Sequence, residues 1–495
     1  MNPLSVRNSK HQDWNVKTLG IECCDQGFMA AVSVGPEEEL VALEDNRGLA
    51  SPGFVYFDGE EYRYGSAAEA QAKLLPKFVS DRCWDQLSRR ASDITAAGKS
   101  PLYSELAYHY LKSIWDRICT IHSADQVLLA LPGDFLEGEL GDEERIGLIL
   151  GMVKDMEIPL AGIIDLACAA VLAHMNDNPE MTKKILMIDL PQHALIISQI
   201  DCEAGIRRMN VVHSSRCGHA SIFGELVTHL SNRFLGETAF DALHNAESEQ
   251  CFYNQVKGLL GTLKSAPRGI IEMGSSQRSR TMTVSKEDLA LGLESTTTVL
   301  IDQILNAWGE AADKEVDWSL LLSERAAAVP GLSDRLQNAV PCAVYSLQSG
   351  AAARGAVLFG RQASLIRDLE ETPLTVSITR DQIPISPRIR PDKLATPTPV
   401  DSPTHLVHQG VAYPLRNGPL NLALITGASV EDGRTVTLHL ADNGVYLEPQ
   451  PNSPVRLNQQ VASHRTKLNP GDQLQFHSAT GILDLLLVKV MSATG

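Results

Sequence analysis

Two series of apolar runs, separated by turns and helical segments, dominate the pattern of the chain. In the middle, Ile185–Ile188 and Leu195–Ile200 are apolar and rich in β-branched residues, which predicts two largely buried strands. Pro191 and its polar neighbours predict the turn between them. A third strand is predicted at Ile206–Val212, and a later one, after several helices, at Trp318–Leu322.

A similar series comes earlier in the chain. Strands are predicted at Lys17–Glu22, Phe28–Val34 and Glu39–Leu43, and a further strand is predicted after helical segments at Gln126–Leu131. Apolar residues at helical spacing from Leu106 to about Thr120 predict a helix that packs on the sheet. Three antiparallel strands followed by helix, strand and helix are therefore expected twice, which predicts an α/β fold built by duplication.

Length and local composition predict how the chain divides into domains. At 495 residues it exceeds what one hydrophobic core usually organises. Prolines concentrate between residues 384 and 403 and predict an extended linker, after which short strands and closely spaced turns predict a β-sandwich. The predicted parts are an N-terminal tail (1–16), lobe I (17–182), lobe II (183–380), a Pro-rich linker (381–404) and a small all-β sandwich (405–495).

The net charge of the chain argues against some classes of binding partner. The chain carries 43 Lys and Arg against 60 Asp and Glu, a net charge of -17, and no cluster of cations stands out. Since binding a polyanion needs clustered cations, neither nucleic acid nor an acidic membrane is predicted as a partner. The first residues lack the apolar core of a secretory signal, and the longest quasi-apolar stretch, 161–175, is too short to span a bilayer. A cytoplasmic location is predicted.

The nine cysteines predict neither a disulfide framework nor a metal site. No C-x-x-C motif occurs, and the local cluster of His213, Cys217 and His219 lacks a fourth ligand nearby. The adjacent Cys23 and Cys24 allow two interpretations, a redox pair or buried inert thiols. Because neighbours in a strand point to opposite faces, buried inert thiols are the prediction.

Four short stretches, in order along the chain, carry a family resemblance: Gly20–Glu22 with Phe28–Val32, Leu129–Pro132, Asp189-Leu190, and Ser349–Ala356. They resemble, in turn, the first phosphate-binding hairpin, a strand end, the second phosphate-binding hairpin and the closing helix of the ATPase domain of the DnaK-type heat-shock chaperones. The resemblance covers roughly residues 17–360. It implies the duplicated, two-lobed ATPase fold of the actin-like and ribonuclease H-like proteins, which normally binds Mg-ATP between its lobes.

The first hairpin departs from the family pattern. Where the family has Asp-Leu-Gly-Thr-Thr, this chain has Glu22, Cys23, Cys24, Asp25 and Gln26. The glycine and both threonines that approach phosphate oxygens are lost. The resemblance also implies that the additional Asp25 carboxylate faces the phosphates.

The second hairpin departs further. Its three glycines, its threonine and its second aspartate are absent, and Pro191 removes a backbone donor. The family's catalytic glutamate corresponds to Leu166, and the Gly-Gly after the third strand of lobe II is half kept as Gly218-His219. The family's adenine-side Gly-Gly-Ser-Thr-Arg-Ile-Pro corresponds to residues 323–330, without its glycines. No catalytic residue is therefore predicted.

What remains of the cleft has two interpretations. Glu22, Asp25, Asp189 and Gly218 are predicted to mark a vestigial nucleotide cleft. The carboxylates Glu22 and Asp189 either still hold Mg2+ and a nucleotide, or only cap hairpins and bind cleft waters. His193 and His219 are likewise interpreted as flanking this cleft or as ordinary polar groups at turns. The prediction is that no cofactor binds, with Mg-ATP as the alternative.

The C-terminal region carries a second, weaker resemblance. Pro454–Val461 followed by Lys467–Phe476 resembles the back half of a forkhead-associated domain, a module that binds phosphothreonine. The Gly-Arg and Ser-x-x-His signatures that contact phosphate are not found, so charge-assisted contacts to phosphate are missing. The prediction is instead a purely structural sandwich or a phosphate-independent binding module, with Arg456, Asn458, Gln459 and Gln460 as the predicted partner surface.

These observations predict a chaperone-like pseudo-ATPase that serves as an intracellular scaffold for protein partners. The alternative is an ATP-binding, DnaK-type molecular chaperone with an atypical nucleotide pocket. A third possibility is an actin-like protein that assembles into polymers.

Overall fold

The computed structural model describes most of the chain up to residue 361 and many of the strands beyond it. The described residues are 16–35, 37–45, 47–96, 98, 100–136, 143–178, 184–203, 205–275, 278–311, 318–361, 374–375, 377–379, 403, 405–408, 411–414, 419–421, 437–441, 444–448, 455–458, 460–462, 464–469, 471–478 and 481–488. The chain is of the mixed α/β class and divides into two compact units, residues 1–386 and 387–495.

The first unit begins with a series of strands and helices that ends near residue 177. These elements are β1 (Thr18–Cys24), β2 (Gly27–Val34), β3 (Glu37–Leu40), β4 (Ala50–Pro52), β5 (Val55–Phe57), β6 (Tyr62–Tyr64), α1 (Gly65–Glu69), β7 (Val79–Ser80), α2 (Tyr103–Ile121), β8 (Gln126–Leu131), α3 (Glu143–Asp155), β9 (Leu160–Asp165) and α4 (Leu166–Asp177). Short 3-10 helices lie at Pro76–Phe78 and Gly133–Leu136.

A second series completes this unit. Its elements are β10 (Lys184–Asp189), β11 (Leu195–Asp201), β12 (Gly205–Ser214), α5 (His219–Thr238), α6 (Ala246–Ser265), β13 (Arg268–Ser275), β14 (Arg278–Ser285), α7 (Lys286–Gly292), α8 (Glu294–Ala311), β15 (Trp318–Leu322), α9 (Glu324–Ala327), α10 (Leu332–Ala339), β16 (Ala343–Ser346), α11 (Ala351–Gly360), β17 (Leu374–Thr375) and β18 (Ser377–Thr379).

Two large sheets organise these elements, and their central strands pair in the same way. In the first, β1, β2 and β3 are antiparallel neighbours, and β8 and then β9 extend the other side of β1 in parallel. In the second, β10, β11 and β12 are the antiparallel neighbours, and β15 and then β16 extend β10 in parallel. The short strands β17 and β18 complete the edges, with β17 on β9 and β18 on β12.

Helices α4 and α11 form a layer of small residues that contacts both sheets. Their apolar side chains share one buried cluster with residues of both sheets, among them Leu128 and Met187. The approach is close, because a Cβ atom on Gly355 would lie 1.7 Å from the carbonyl oxygen of Ala169. Two helices can come this near only where one of them has no side chain at the contact.

Each sheet also has an outer core. Helices α2 and α3 cover the first sheet, where the Phe28 ring packs edge-on against Trp84 at 5.4 Å and against Tyr110 at 4.9 Å. Helices α5, α6 and α8 and the β13–β14 hairpin share a second large cluster with β10, β11 and β15. The apolar faces of these amphipathic helices thereby leave water, which is the main stabilising contribution to each core.

The second unit is composed of strands wherever it is described. They are β19 (His405–His408), β20 (Val411–Pro414), β21 (Pro419–Asn421), β22 (Thr437–Ala441), β23 (Gly444–Glu448), β24 (Val455–Leu457), β25 (Gln460–Ala462), β26 (Thr466–Leu468), β27 (Gln473–Ser478) and β28 (Gly481–Val488). Two antiparallel sheets result, with the orders β20-β19-β28-β27-β24-β25 and β21-β22-β23-β26. The buried residues Leu438, Leu447, Val455 and Leu474 come from both sheets.

The strand predictions agree with the structure best where an apolar run is long. The predicted strand at Trp318–Leu322 is confirmed with its bounds, and the strands around Pro191 are confirmed within a residue or two. The strand predicted at Lys17–Glu22 ends later than expected, because Cys23 and Cys24 also belong to β1. Both thiols are buried, as expected, and burial raises the pKa of each.

One further difference concerns an element with a weak apolar pattern. The hairpin of β13 and β14 was not predicted, since polar and charged residues interrupt its apolar positions.

Candidate functional site

Two turns from the two large sheets meet in the first unit. The β1–β2 turn contains Asp25 and Gln26 and closes at Gly27, whose φ of 120° is a backbone conformation that suits glycine. The β10–β11 turn contains Leu190 to Ala194. The sequence predicted that both turns belong to one cleft, and the structure brings them into direct contact.

Asp25 makes the first connection between these turns. Its carboxylate accepts the backbone N–H of Gln192 at 3.0 Å and that of His193 at 2.9 Å. Successive backbone N–H groups in a turn are a typical anion-binding arrangement. Here the anion that they hold is a side chain of the same protein, so these two donors are already satisfied.

Asp81 holds the same turn from another side. Its carboxylate lies 3.2 Å from Nε2 of His193 and accepts a 3.0 Å hydrogen bond from Nε2 of Gln192. Burial acts to lower the pKa of His193, but the hydrogen bond that its imidazole donates to Asp81 and the negative charge of Asp81 together outweigh burial and raise it. We call the contacts of Asp25 and Asp81 with Gln192 and His193 the turn bridge.

Arg325 joins the carboxylates that end β1 and β10. Its Nη1 donates to Glu22 Oε1 at 2.7 Å, while Nε and Nη2 donate to the two oxygens of Asp189 at 3.1 and 3.0 Å. The pair with Asp189 is therefore bidentate, the geometry in which guanidinium and carboxylate interact most strongly. We call this group of three residues the arginine bridge.

The local sequence explains why Arg325 reaches this place. Strand β15 runs parallel to β10, and the Ser323 backbone N–H donates to the carbonyl of Ile188 at 2.9 Å. Ser323 also caps helix α9, since its hydroxyl accepts the Ala326 backbone N–H at 3.1 Å. Arg325 follows within the first turn of that helix and is directed back over the end of β10.

Burial and charge act in opposite directions on the arginine bridge. Burial raises the pKa of Glu22, and Arg325 only partly offsets this effect. Burial would also raise the pKa of Asp189, but the bidentate contact with Arg325 outweighs it, so the pKa of Asp189 is lowered. The guanidinium is therefore the counter-ion that allows two carboxylates to be buried side by side.

The N-terminus of α5 is also occupied by the second turn. The backbone N–H groups of His219 and Ala220 donate to the carbonyls of Pro191 and Gln192, both at 2.9 Å. Gly218 is required at this contact, because a Cβ atom there would lie 2.6 Å from the Gln192 carbonyl oxygen. Helix N-termini commonly bind phosphate, but here two of the donors bind carbonyl oxygens of the chain itself.

A third connection, which we call the helix bridge, joins α1 to α6. Glu69 accepts a hydrogen bond from the Tyr253 hydroxyl at 3.1 Å and forms an ion pair with Lys257. Next to it, Gln250 accepts the Lys73 backbone N–H at 2.8 Å and donates to the Glu69 carbonyl at 3.3 Å. The elements beside the two sheets are thereby joined directly.

A cavity of about 750 Å3 remains among these bridges, and we call it the central cavity. Residues of all three bridges line it, including Glu22, Gln192, Arg325, Glu69 and Tyr253. Its volume is within the range typical of small-molecule sites.

The predicted cleft residues are thus brought together. Glu22, Asp25, Asp189 and Gly218 all lie at the two meeting turns, and His193 and His219 flank them. Sequence reasoning missed Arg325. A signal was present, because Arg325 lies in the stretch that corresponds to the family's adenine-side loop, at the end of the predicted strand Trp318–Leu322.

The predicted partner surface is only partly described. Arg456 on β24 and Gln460 on β25 are exposed, whereas Gln459 lies outside the described residues. The Asn458 side chain donates to Asp472 at 2.7 Å and accepts the Gln473 backbone N–H at 2.9 Å. Asn458 therefore joins the turn after β24 to the segment that leads into β27.

No model of a known protein family matches this chain, and a search of curated proteins likewise finds no match. Within the described ranges, no three His, Cys, Asp or Glu side chains gather as a metal site would require. Nor does any helix there combine the length and apolar character needed to cross a membrane.

Replacing Arg325 with methionine should strongly destabilise the first unit, because two buried carboxylates lose their counter-ion. We expect Arg325→Met to lower the free energy of unfolding by about 3 to 5 kcal/mol. The loss should be larger at pH 8 than at pH 5.5, since unpaired buried carboxyls have raised pKa values and resist ionisation. Urea unfolding followed by tryptophan fluorescence measures this unit alone, because all five tryptophans precede residue 387.

The matched control is Arg63→Met, which removes a partly exposed arginine 2.9 Å from Glu61. That change should alter the free energy of unfolding by no more than about 1 kcal/mol. Equal effects of the two substitutions would contradict the arginine bridge.

Asp25 should make the stability of the first unit depend on pH. Burial raises its pKa to about 6, so the folded protein binds this proton more tightly than the unfolded chain does. Its contribution to stability is then present below about pH 4 and is lost as the pH rises through 6. Relative to Asp25→Asn, the native protein should lose about 2 kcal/mol between pH 4 and pH 7.

Urea unfolding of both proteins at these two pH values measures the effect of Asp25. A stability difference between native protein and Asp25→Asn that stays constant with pH would show that Asp25 does not titrate in this range.

Proposed function

We propose that this chain is a pseudo-ATPase, related in fold to the DnaK-type chaperones of the actin-like superfamily, that acts as an intracellular scaffold for protein partners. The matching order of strand pairing in the two large sheets supports the two-lobed fold. The absence of any family match leaves the family resemblance resting on the short collinear stretches of sequence. The function is inferred from what occupies the cleft.

The arginine bridge is the observation that carries the proposal. Glu22 and Asp189 are the carboxylates left to hold a metal ion at the ends of the two hairpins, and Arg325 already pairs with both. For Mg2+ to bind there, the guanidinium would first have to leave two buried ion pairs. Breaking a buried pair costs about 3 to 5 kcal/mol, enough to weaken a micromolar site to roughly millimolar.

The turn bridge likewise opposes the binding of phosphate. Pro191 has no N–H to offer, and the next two backbone N–H groups of this turn are used by Asp25. A phosphate group would have to displace the carboxylate and would then lie beside it. Repulsion between the two anions adds to the loss of donors.

A scaffold follows from the way these bridges hold the lobes together. ATP-driven chaperones change shape because nucleotide binds one arrangement of the lobes better than another. Here side chains of the chain itself make the connections that a nucleotide would make. The first unit is then a rigid body that presents fixed surfaces, and the C-terminal module with Arg456 and Gln459-Gln460 contributes a partner surface.

An ATP-binding chaperone with an atypical pocket is the second candidate. The central cavity of about 750 Å3 favours it, because a cavity of this size beside the cleft carboxylates has room for a small molecule. The two candidates differ in whether nucleotide displaces Arg325.

Titration calorimetry of Mg-ATP and Mg-ADP into the full chain distinguishes the two candidates. Because the cation and phosphate positions are filled, we expect no heat of binding up to roughly millimolar nucleotide, a free energy of only about -4 kcal/mol. A micromolar isotherm that disappears in Asp189→Ala would overturn the pseudo-ATPase proposal and favour the chaperone.

Partner capture tests the C-terminal module. Arg456→Ala and Gln460→Ala should each reduce recovery of a co-purifying partner about tenfold, since charged and amide groups at an interface centre often contribute 1 to 2 kcal/mol or more. Arg63→Ala, a change at a partly exposed residue of the other unit, is the control and should leave recovery unchanged. If all three proteins capture the partner equally, the predicted surface is not the one that binds.

A further inference from the structure

One face of helix α5 forms a wall of the central cavity. The lining residues of this helix recur at helical spacing, namely His219, Ala220, Phe223, Gly224, Val227 and Thr228. Apolar side chains from the first sheet and its neighbours, such as Met29 and Phe54, also line the cavity. The cavity is therefore a mixed but largely apolar space next to the polar cleft.

The charges that line the cavity are paired within the protein. Lys257 pairs with Glu69, and Lys73 lies 3.4 Å from Glu249. At the other end, Lys264 lies 3.6 Å from Glu324.

The bridges account for the remaining charged groups of the lining. Glu22 and Arg325 belong to the arginine bridge, and Asp81 faces His193. No lining cation described in the structure therefore lacks an acidic partner, and an anionic ligand would meet carboxylates at several points. An uncharged ligand avoids this repulsion.

His219 is the polar group on the α5 wall that has no side-chain hydrogen bond to any described residue. Its backbone N–H donates to Pro191, while its imidazole contacts the Phe223 ring. Burial, assisted by the nearby Lys257 and Arg325, lowers the pKa of His219 to about 4. The imidazole is neutral at physiological pH and offers one donor and one acceptor to the cavity.

One aromatic ring contacts this histidine, and a second ring contacts the first. The rings of His219 and Phe223 are nearly parallel, at 8° and 6.1 Å between centroids, and the Tyr253 ring meets Phe223 edge-on at 4.9 Å. Rings prefer such offset-parallel or edge-on neighbours, so a further ring is well accommodated against this wall.

We propose that the central cavity binds an uncharged small molecule that contains an aromatic ring and an N–H or O–H group, with the ring against Phe223 and the polar group hydrogen-bonded to His219. The molecule requires neither a metal ion nor displacement of Arg325. This proposal does not rest on the scaffold function. A scaffold that binds no nucleotide could act with or without a ligand in this cavity.

Fluorescence of N-phenyl-1-naphthylamine tests the proposal on the full chain. This uncharged probe has aromatic rings and an N–H group, and it emits strongly only in apolar surroundings. We expect saturable binding to the native protein. His219→Phe should raise Kd about five- to tenfold, since one hydrogen bond is lost while the ring is kept.

Glycines on α5 supply a matched pair of variants. Gly224 lines the cavity, and a Cβ atom there would have no heavy atom within 4 Å. Gly236 lies on the same helix, has equally open surroundings and does not line the cavity. Gly224→Phe should fill the space beside Phe223 and weaken probe binding at least tenfold, whereas Gly236→Phe should bind like the native protein.

Gly261 on α6 gives a second cavity-filling variant, should Gly224→Phe fail to fold as judged by tryptophan fluorescence. It also lines the cavity and has open surroundings, so Gly261→Phe should weaken binding in the same way. The proposal is overturned if the native protein shows no saturable probe fluorescence, or if the folded cavity-filling variants bind as well as it does. Competition by Mg-ATP at micromolar concentration would overturn the uncharged ligand class, and the pseudo-ATPase proposal with it.

Discussion

The ion pairs of Arg325 with Glu22 and Asp189 are the constraint on which the centre of the first unit depends. Each partner comes from a different element: β1 supplies Glu22, β10 supplies Asp189, and the first turn of α9 supplies the guanidinium. Two carboxylates buried together repel each other and resist ionisation, so neither hairpin end would be stable in this arrangement without a cation between them. A bound metal ion could dissociate, whereas a guanidinium that is part of the chain cannot. The pairing of the two hairpin ends therefore does not depend on the presence of a metal ion.

In the neighbouring contacts, too, groups of the chain itself take the place of a bound ligand. The turn after β10 offers backbone N–H groups, and the carboxylate of Asp25 accepts two of them. The N-terminus of α5 offers further N–H groups, and carbonyls of that turn accept them. At these three places the groups that would suit a charged ligand are paired with groups of the opposite character from the same chain. His219 and the ring of Phe223 lie beside them on α5, which is why the two proposals concern different parts of one cavity.

The sequence was informative where a pattern extends over many residues. Runs such as Ile185–Ile188 are apolar throughout because both faces of the strand are buried, and that property is visible without a structure. The convergence of Glu22 and Asp189 was predictable from the collinear resemblance. The role of Arg325 was not, since an arginine after a strand usually lies on the surface, and only the tertiary pairing of β15 with β10 directs it inward. The β13–β14 hairpin was missed for a different reason: its few apolar positions alternate with exposed polar ones and form no continuous apolar run.

The wide spacing of the arginine bridge along the chain has a consequence for biosynthesis. Arg325 is 303 residues away from Glu22, so at about 5 to 20 residues per second the ribosome needs roughly 15 to 60 seconds to supply the counter-ion after making the carboxylate. Helix α11, which packs against β1, is synthesised later still. During this interval the first sheet lacks a counter-ion for one buried end, a cover for one face and its edge strand β17. The native contacts of the N-terminal half are therefore complete only after residue 375 has been synthesised.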